Sequence, residues 1–191
     1  MNNQKLFKDW LWARKEALLE YAKAHGITGR TDDDTDYDSV MFRIMETYGR
    51  IQAKEVARQM GVFFNDHSLE SKIDGDIFSG ICIDVEVKAR CYPKEAFATW
   101  AIDVEKYDEL STRHGWLLYL WVNIDNPIEA DWAIWDVSAT PPIDEPVTCR
   151  ESVARREAPM RNKVMKAWKL EDAKFSGTIG GQASGDSRIF A

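Results

Sequence analysis

A chain of 191 residues is long enough to bury a substantial hydrophobic core as one domain, without disulfides or structural metals. Apolar residues make up 45% of the sequence and charged residues 30%, which are ordinary proportions for a soluble globular protein. The N-terminal segment has charged residues throughout and lacks the apolar centre of a signal peptide, and no later segment is apolar enough to cross a bilayer. We expect a cytoplasmic protein with one domain over residues 1–175 and a loosely ordered, glycine- and serine-rich tail over residues 176–191.

The net charge of −7 argues against a protein that coats nucleic acid with its whole surface, because phosphates are repelled on average. The charge is distributed unevenly, however. Residues 148–170 contain seven basic and two acidic residues, so this segment carries +5 and the remainder of the chain −12. Such a basic segment is compatible with docking of a polyanion, and equally compatible with a solvated helix surface.

The cysteines and histidines are not spaced as metal ligands or as a redox pair. The cysteines include no CxxC pair, and we interpret them as structural thiols in a reducing compartment. The histidines are isolated from one another and from the cysteines, which argues against a zinc site or a histidine-based nuclease motif. A metal ion would therefore have oxygen ligands, which favours Mg²⁺ or Mn²⁺. The residues concerned are Cys82, Cys91, Cys149, His25, His67 and His114.

The periodicity of apolar residues predicts one α/β domain with a central mixed sheet flanked by helices. An amphipathic first helix ends before Gly26, and the acidic segment 31–36 then supplies N-cap residues for a second helix. That segment could also bind a cation, but it lacks the glycine and the distal glutamate of a calcium loop. In chain order the prediction is helix 4–25, helix 38–60, strands 72–77 and 81–88, helix 94–114, strands 116–122 and 131–137, and a final helix in the basic segment.

Three charged residues share one face of the strand 81–88. A period of two puts Asp84, Glu86 and Lys88 on this face, while the aliphatic residues between them point to the core. The segment 78–80 suits a short hairpin loop back to the preceding strand, with Gly80 in the left-handed conformation that such a loop needs. The three charges then lie close to the acidic residues of that preceding strand.

Two aspartates of the preceding strand are candidates for the same cluster. If the loop centres on Ser79, Asp74 lies directly across from Asp84. Asp74 is then diagonal to Glu86, at roughly 7–8 Å, which is within reach of a shared metal ion. Asp76 shares the face but lies nearer the loop. This geometry ranks Asp74 first, and a longer loop would reverse the ranking.

Carboxylates that are packed together repel one another, and a protein tolerates them mainly where a cation neutralises the group. The side chain of Lys88 can bring a positive charge into the same space. Such a set suits phosphodiester hydrolysis. A metal polarises a phosphate oxygen and lowers the pKa of a bound water, while the lysine orients that water or offsets charge developing on the phosphorane.

Asp74 or Asp76, a short hairpin, and then Glu86-Val87-Lys88 resemble the active-site signature of the PD-(D/E)XK nuclease superfamily, which has the restriction-endonuclease-like fold. The resemblance covers roughly residues 50–122 and implies an α-β-β-β-α-β core. It also implies Mg²⁺, replaceable by Mn²⁺, and products with a 5′-phosphate. No proline precedes either aspartate, which is a departure from the signature. The implied catalytic residues are Asp74, Asp76, Glu86 and Lys88, and the implied metal ligands are Asp74, Asp76, Glu86 and Val87.

Members of this superfamily often have a further acid on an upstream helix. Glu46 and Glu55 are the candidates in the predicted helix 38–60. They are nine residues apart and therefore lie on opposite faces, so only one of them can point at the site. We predict Glu55, because it is closer to the strands in sequence, with Glu46 as the alternative.

The signature and the order of elements together predict a Mg²⁺-dependent DNA endonuclease of the restriction, junction-resolving, phage or repair type. One alternative is a module of the same fold that binds nucleic acid without cutting it. Another is an exonuclease or an RNA-directed nuclease with the same site. DNA is the expected partner, and cutting both strands of a duplex would favour a two-fold dimer.

Other residues that suggest nucleic acid have a simpler interpretation. Arg90 and Lys94 could hold a phosphate, but we interpret them first as ordinary surface charges. The tryptophans of the apolar strands could stack on bases, but apolar strands predict that they belong to the core. These tryptophans are Trp116, Trp121, Trp132 and Trp135.

Overall fold

The computed structural model describes residues 3–27, 36–69, 71–78, 80–150, 160–180 and 189. These ranges contain four α-helices, nine strands and one short 3₁₀-helix, which confirms the predicted α/β class with a mixed sheet flanked by helices. None of the helices within these ranges has the length and apolar composition needed to cross a membrane. The elements are α1 (Asn3–Trp12), α2 (Lys15–Ala24), α3 (Tyr37–Gln59), β1 (Phe63–Asp66), β2 (Gly75–Phe78), β3 (Cys82–Arg90), β4 (Thr99–Asp103), α4 (Val104–Thr112), β5 (Trp116–Val122), β6 (Ala130–Asp136), β7 (Ile143–Arg150), β8 (Met160–Lys169), the 3₁₀-helix (Leu170–Asp172) and β9 (Phe175–Ile179).

A six-stranded sheet forms the centre of the structure, in the order β1-β2-β3-β5-β6-β9. Strands β3 and β5 are parallel, and the other neighbouring pairs are antiparallel. Every residue of β5 is buried, as its continuous apolar sequence predicts, because side chains from other elements pack on both faces of the sheet. The predicted strands 116–122 and 131–137 are confirmed as β5 and β6, with β6 displaced by one residue.

Helix α3 packs along one face of this sheet. It begins after Asp36, whose carboxylate accepts a hydrogen bond of 2.8 Å from the Ser39 N–H, so the predicted N-cap and the predicted helix are confirmed. Ala53 in its second half packs with Val85 and Val87 of β3. Its first half packs with α1 and α2. Helix α3 therefore joins the N-terminal helices to the sheet.

Helix α4 and strand β4 pack against the opposite face of the sheet. Trp100 and Ile102 of β4 and Leu110 of α4 lie in one buried cluster with residues of β5 and β6. The prediction that the strand tryptophans belong to the core is confirmed. Their exposed fractions are 9% for Trp116, 3% for Trp121, 6% for Trp132 and 0% for Trp135, which leaves no ring face for a base.

Two of the predicted helical segments have a different structure. The segment 4–25 forms two helices, because the backbone at Arg14 leaves the helical region (φ −115°, ψ 13°) and the bend lets both α1 and α2 pack against α3. The segment 94–114 is helical only from Val104 to Thr112. Before it, Thr99–Asp103 forms β4, in which Trp100 and Ile102 are buried and Thr99 and Ala101 are half-buried.

In the described residues of the basic segment, 148–150 and 160–169 are strands rather than helix. They form β8 and the end of β7, which pair as an antiparallel hairpin, and β8 joins β4 in a second, three-stranded sheet in the order β4-β8-β7. Residues 151–159 of the segment lie outside the described residues. The prediction of a helix here was wrong because β8 pairs with β4, a partner some sixty residues away that a local sequence window cannot contain.

The predicted tail contains a strand. Residues Phe175–Ile179 form β9, which pairs with β6 at the edge of the main sheet. Gly177 lies over Trp132, where a Cβ would be 2.9 Å from the indole ring. This glycine therefore allows close packing of β9 on β6 and does not indicate a loosely ordered segment. Residues 181–188, 190 and 191 of the predicted tail, and residues 31–35 of the acidic segment, lie outside the described residues. Strand β1, which has only Phe64 buried, gave no recognisable alternation in the sequence.

Gly75 provides a test of this packing. A methyl group at Gly75 would lie inside van der Waals contact with the Asn65 carbonyl oxygen and the Phe64 ring across the β1–β2 pair. We expect Gly75→Ala to lower the free energy of unfolding by about 1–3 kcal/mol, measured by chemical denaturation. Gly180→Ala is the matched control, because its methyl group would have no atom within 4 Å. Equal stabilities of the two variants would contradict the packing described for Gly75.

Candidate active site

The hairpin of β2 and β3 determines which acidic residues meet. Phe78 pairs with Cys82 and Asp76 with Asp84, so the loop centres on Gly80 rather than on Ser79. Gly80 has φ 89°, which confirms its predicted left-handed conformation. The longer loop was expected to favour Asp76 for the cluster. The structure instead favours Asp74. With the loop centred on Gly80, Gly75 pairs with Val85, and the residue before Gly75 lies directly across from Glu86.

Asp74, at that position, is 8% exposed and links β3 to α3. Its Oδ2 accepts a hydrogen bond of 2.7 Å from the Val87 N–H, and its Oδ1 lies 3.3 Å from Nη2 of Arg50. The guanidinium of Arg50, which is 1% exposed, also donates to the His67 carbonyl. The Asp74 carboxylate therefore accepts the β3 hydrogen bond that a main-chain carbonyl would accept if β2 were longer.

Glu86 is bound by two lysines. Its side chain is 1% exposed. One carboxylate oxygen accepts a hydrogen bond from Lys88, and the other lies 2.9 Å from Nζ of Lys106 in the first turn of α4. Sequence reasoning did not find Lys106, because a lysine near the start of a helix is an ordinary surface residue unless the fold places it against a strand.

Glu46 of α3 belongs to the same cluster. Burial, and then the negative charge of Asp74, raise its pKa to about 7, while Lys88 and Arg50 act in the opposite direction and Glu86 adds a smaller increase. Arg50, one helical turn after Glu46, lies on the same face of α3 and approaches Asp74 at 3.3 Å, so Glu46 is on the side of the helix that faces the cluster.

The predicted helical acid, Glu55, does not join this cluster. Its carboxylate forms two hydrogen bonds with the Arg58 guanidinium, at 2.6 and 3.0 Å, one turn further along the same helix. The rotation of α3 about its axis decides between the two glutamates. Closeness in sequence does not, and Glu46, the alternative, is the glutamate that lies near Asp74 and Lys88.

Asp76 and Asp84 lie on the same hairpin but have other partners. Asp76 accepts a hydrogen bond of 3.1 Å from Asn65, and its other oxygen lies 2.9 Å from Nε2 of His67. Asp84 lies 3.2 Å from Nη1 of Arg113, next to the end of α4. The structure therefore brings Asp74, Glu86, Lys88 and Glu46 together and directs Asp76 toward β1.

The positive groups balance the three carboxylates. Burial by itself would lower the pKa of Lys88, but the charges of Glu86, Asp74 and Glu46 outweigh it and raise the pKa. Lys88 therefore carries a proton at neutral pH. With Arg50 and Lys106 it makes three cations for three carboxylates, so the cluster is close to neutral as the side chains stand.

The donor chemistry of the cluster fits Mg²⁺, which prefers carboxylate oxygens. The present arrangement is an ion-pair network: within the described part of the chain, no three Asp, Glu, His or Cys side chains form a group that could hold a metal ion. Both Glu86 oxygens contact lysines, and both Asp74 oxygens accept hydrogen bonds. Val87, the remaining predicted ligand, could offer only its main-chain carbonyl.

The two other candidates for phosphate contacts have structural partners. The guanidinium of Arg90 lies 5.4 Å from the centre of the Tyr119 ring, a cation–π distance. Nζ of Lys94 lies 3.3 Å from a carboxylate oxygen of Asp131. Both observations agree with the simpler interpretation of these residues as surface charges.

The raised pKa of Glu46 predicts a pH dependence of stability. In the folded protein Glu46 keeps its proton up to about pH 7, whereas in the unfolded chain it ionises near 4.5. The folded state therefore binds more protons in this window, and stability is lost as the pH rises from about 4.5 to about 7. We expect Glu46→Gln to be more stable than the wild type above about pH 7, and to lose this advantage toward pH 4.5, in thermal unfolding.

Glu20→Gln is the control, because Glu20 is an exposed acid on α2. It should follow the wild-type profile at every pH. If Glu46→Gln followed it as well, Glu46 would be an ordinary solvated carboxylate and the cluster would lose its third acid.

Comparisons with protein-family models, with curated proteins and with solved structures find no match to this chain. The function is therefore inferred from the side chains of the cluster and from the elements that position them.

Proposed function

We propose that this chain hydrolyses phosphodiester bonds in DNA with the help of Mg²⁺. The observation that carries the proposal is the meeting of three carboxylates, Glu46, Asp74 and Glu86, around the protonated Lys88. They come from a helix, a loop end and a strand. Glu46, whose pKa is raised to about 7 by burial and by Asp74, supports this proposal, because carboxyl groups with strongly shifted pKa values are concentrated at functional sites.

The order of elements supports the resemblance to the PD-(D/E)XK superfamily. Helix α3, the antiparallel strands β1, β2 and β3, helix α4 and the parallel strand β5 follow one another in the α-β-β-β-α-β order that the resemblance implies. Strand β4 is an addition between β3 and α4. Glu86 and Lys88 lie on β3, and Asp74 immediately precedes β2, which supports their match to a signature with an aspartate at one strand and Glu-x-Lys on the next.

Asp74, Glu86 and Glu46 are the residues that would hold the metal. Bound Mg²⁺ supplies polarisation of a phosphate oxygen and a lowered pKa of its water. Arg50 keeps the Asp74 carboxylate in place through the buried ion pair. Lys88, as an ammonium group, can donate hydrogen bonds to the attacking water and to a phosphate oxygen, and so orient the water and offset negative charge. It does not take up a proton while its pKa is raised.

A second function is favoured by one observation. Lys88 and Lys106 already neutralise Glu86, so the cluster can also be a structural ion-pair network within a module that binds nucleic acid without cutting it. In that protein Mg²⁺ would have no effect on stability. The two proposals differ in whether the metal can replace a lysine at Glu86.

Cleavage assays test the leading proposal directly. We expect cleavage of DNA in Mg²⁺ or Mn²⁺, no cleavage in EDTA, and a loss of rate of about 10²–10³-fold in Lys88→Ala and in Glu86→Gln. Lys72→Ala is the control, because Lys72 is an exposed lysine that pairs with Glu109 outside the cluster. Supercoiled, linear and single-stranded DNA and RNA, assayed in parallel, separate an endonuclease from an exonuclease and from an RNA-directed enzyme. Cleavage that survives EDTA or both substitutions would rule out this site as its origin.

Lys106 gives a second test that does not depend on turnover. If Lys106 competes with the metal for Glu86, Lys106→Met should lower the Mg²⁺ concentration at half-maximal thermal stabilisation by about two- to fivefold, the effect of a partly exposed ion pair. Lys72→Met should leave this concentration unchanged. A wild-type melting temperature that does not respond to Mg²⁺ would favour the non-catalytic module.

A further inference from the structure

The hairpin of β7 and β8 extends beyond the second sheet. Strand β4 pairs only with residues 165–169 of β8. Residues 160–164 pair with residues 146–150 of β7, and within the described ranges no third strand lies beside them. We call residues 146–150 and 160–164 the distal ribbon. A two-stranded ribbon has little stability of its own, which suggests that this extension serves another purpose.

Most of the described side chains of the distal ribbon are exposed, and its sequence is basic. Its exposed residues include Thr148 on β7, and Met160, Arg161 and Val164 on β8. It contains three basic residues and no acidic residue, although the chain as a whole carries −7. The basic residues are Arg150, Arg161 and Lys163.

The base of the distal ribbon lies close to the candidate active site. Lys163 forms an ion pair with Asp103, the last residue of β4. Asp103 immediately precedes α4, and Lys106 in the first turn of that helix contacts Glu86 at 2.9 Å. Three residues along a helix correspond to a rise of about 4.5 Å. The segment from Asp103 to Lys106 therefore contacts both the distal ribbon, through Lys163, and the candidate active site, through Glu86.

We propose that the distal ribbon is a docking surface for duplex DNA. Charge complementarity with the phosphate backbone supports a polyanion, and an antiparallel two-stranded ribbon fits a major groove of about 12 Å width. The distal ribbon contains no aromatic residue, whereas surfaces for single strands typically stack bases on aromatic rings. The choice of DNA rests on the proposed nuclease function, but the docking surface has its own test.

The test is binding of a fluorescent DNA duplex in EDTA, measured by anisotropy over a range of salt concentrations. We expect the double variant Arg161→Gln, Lys163→Gln, which changes two residues on one face of β8, to bind about tenfold more weakly, and the slope of log K against log salt to become less steep by about two. The control is Lys5→Gln, Lys23→Gln, which makes the same change in net charge at exposed positions on α1 and α2. It should keep the wild-type slope. Unchanged melting temperatures establish that both variants are folded.

Three results would overturn the proposal: equal weakening in both double variants, no effect in the variant of the distal ribbon, or tighter binding of single-stranded than of duplex DNA. The failure of the nuclease proposal is distinguishable from these. If the wild type cleaves DNA but the ribbon variant binds as well as the wild type, the nuclease proposal stands and the docking proposal is rejected. If binding depends on the ribbon but no cleavage occurs in Mg²⁺, the docking proposal stands and the nuclease proposal is rejected.

Discussion

The candidate site depends on the Asp74 carboxylate more than on any other group. One of its oxygens binds the main chain of β3 at Val87, and the other binds Arg50, a buried residue of α3. This side chain thus joins the helix to the hairpin between Glu46 and Glu86, beside the apolar contacts of α3 with β3. Removing either partner of a buried ion pair leaves an uncompensated charge at a cost of about 3–5 kcal/mol. The geometry of the cluster and the stability of the domain are therefore coupled at this point.

The same coupling explains why the cluster is neutral without a metal. Three buried or partly buried carboxylates need counter-charges in order to fold, and Arg50, Lys88 and Lys106 supply them. A divalent ion at Glu86 would make one lysine superfluous there and free it for a phosphate. A nuclease and a non-catalytic module would share this arrangement. They would differ in the free energy of replacing a lysine ammonium group by Mg²⁺ at the Glu86 carboxylate.

The second sheet connects this site to a possible DNA surface. Strand β4 is inserted between β3 and α4, and its pairing with β8 holds both the start of α4 and the base of the distal ribbon. The position of Lys106 against Glu86 thus depends on a strand pairing between segments far apart in sequence. Neither the strand character of 99–103 nor that of 160–169 is evident locally, because a short mixed segment and a lysine-rich segment with scattered apolar residues are each compatible with helix and strand alike.

The sequence by itself determined the α/β class, the capped helix α3, the left-handed Gly80 of the hairpin, the buried strand β5 and the grouping of Glu86 with Lys88. These features depend on periodicity and on neighbours a few residues apart, which a sequence contains. Only the tertiary structure brings Asp74 rather than Asp76, and Glu46 rather than Glu55, close to Glu86 and Lys88, and it alone places Lys106 against Glu86. These outcomes depend on the register of a hairpin, the rotation of a helix about its axis and the approach of a distant helix, and each of them is set by packing over the whole domain rather than by local sequence.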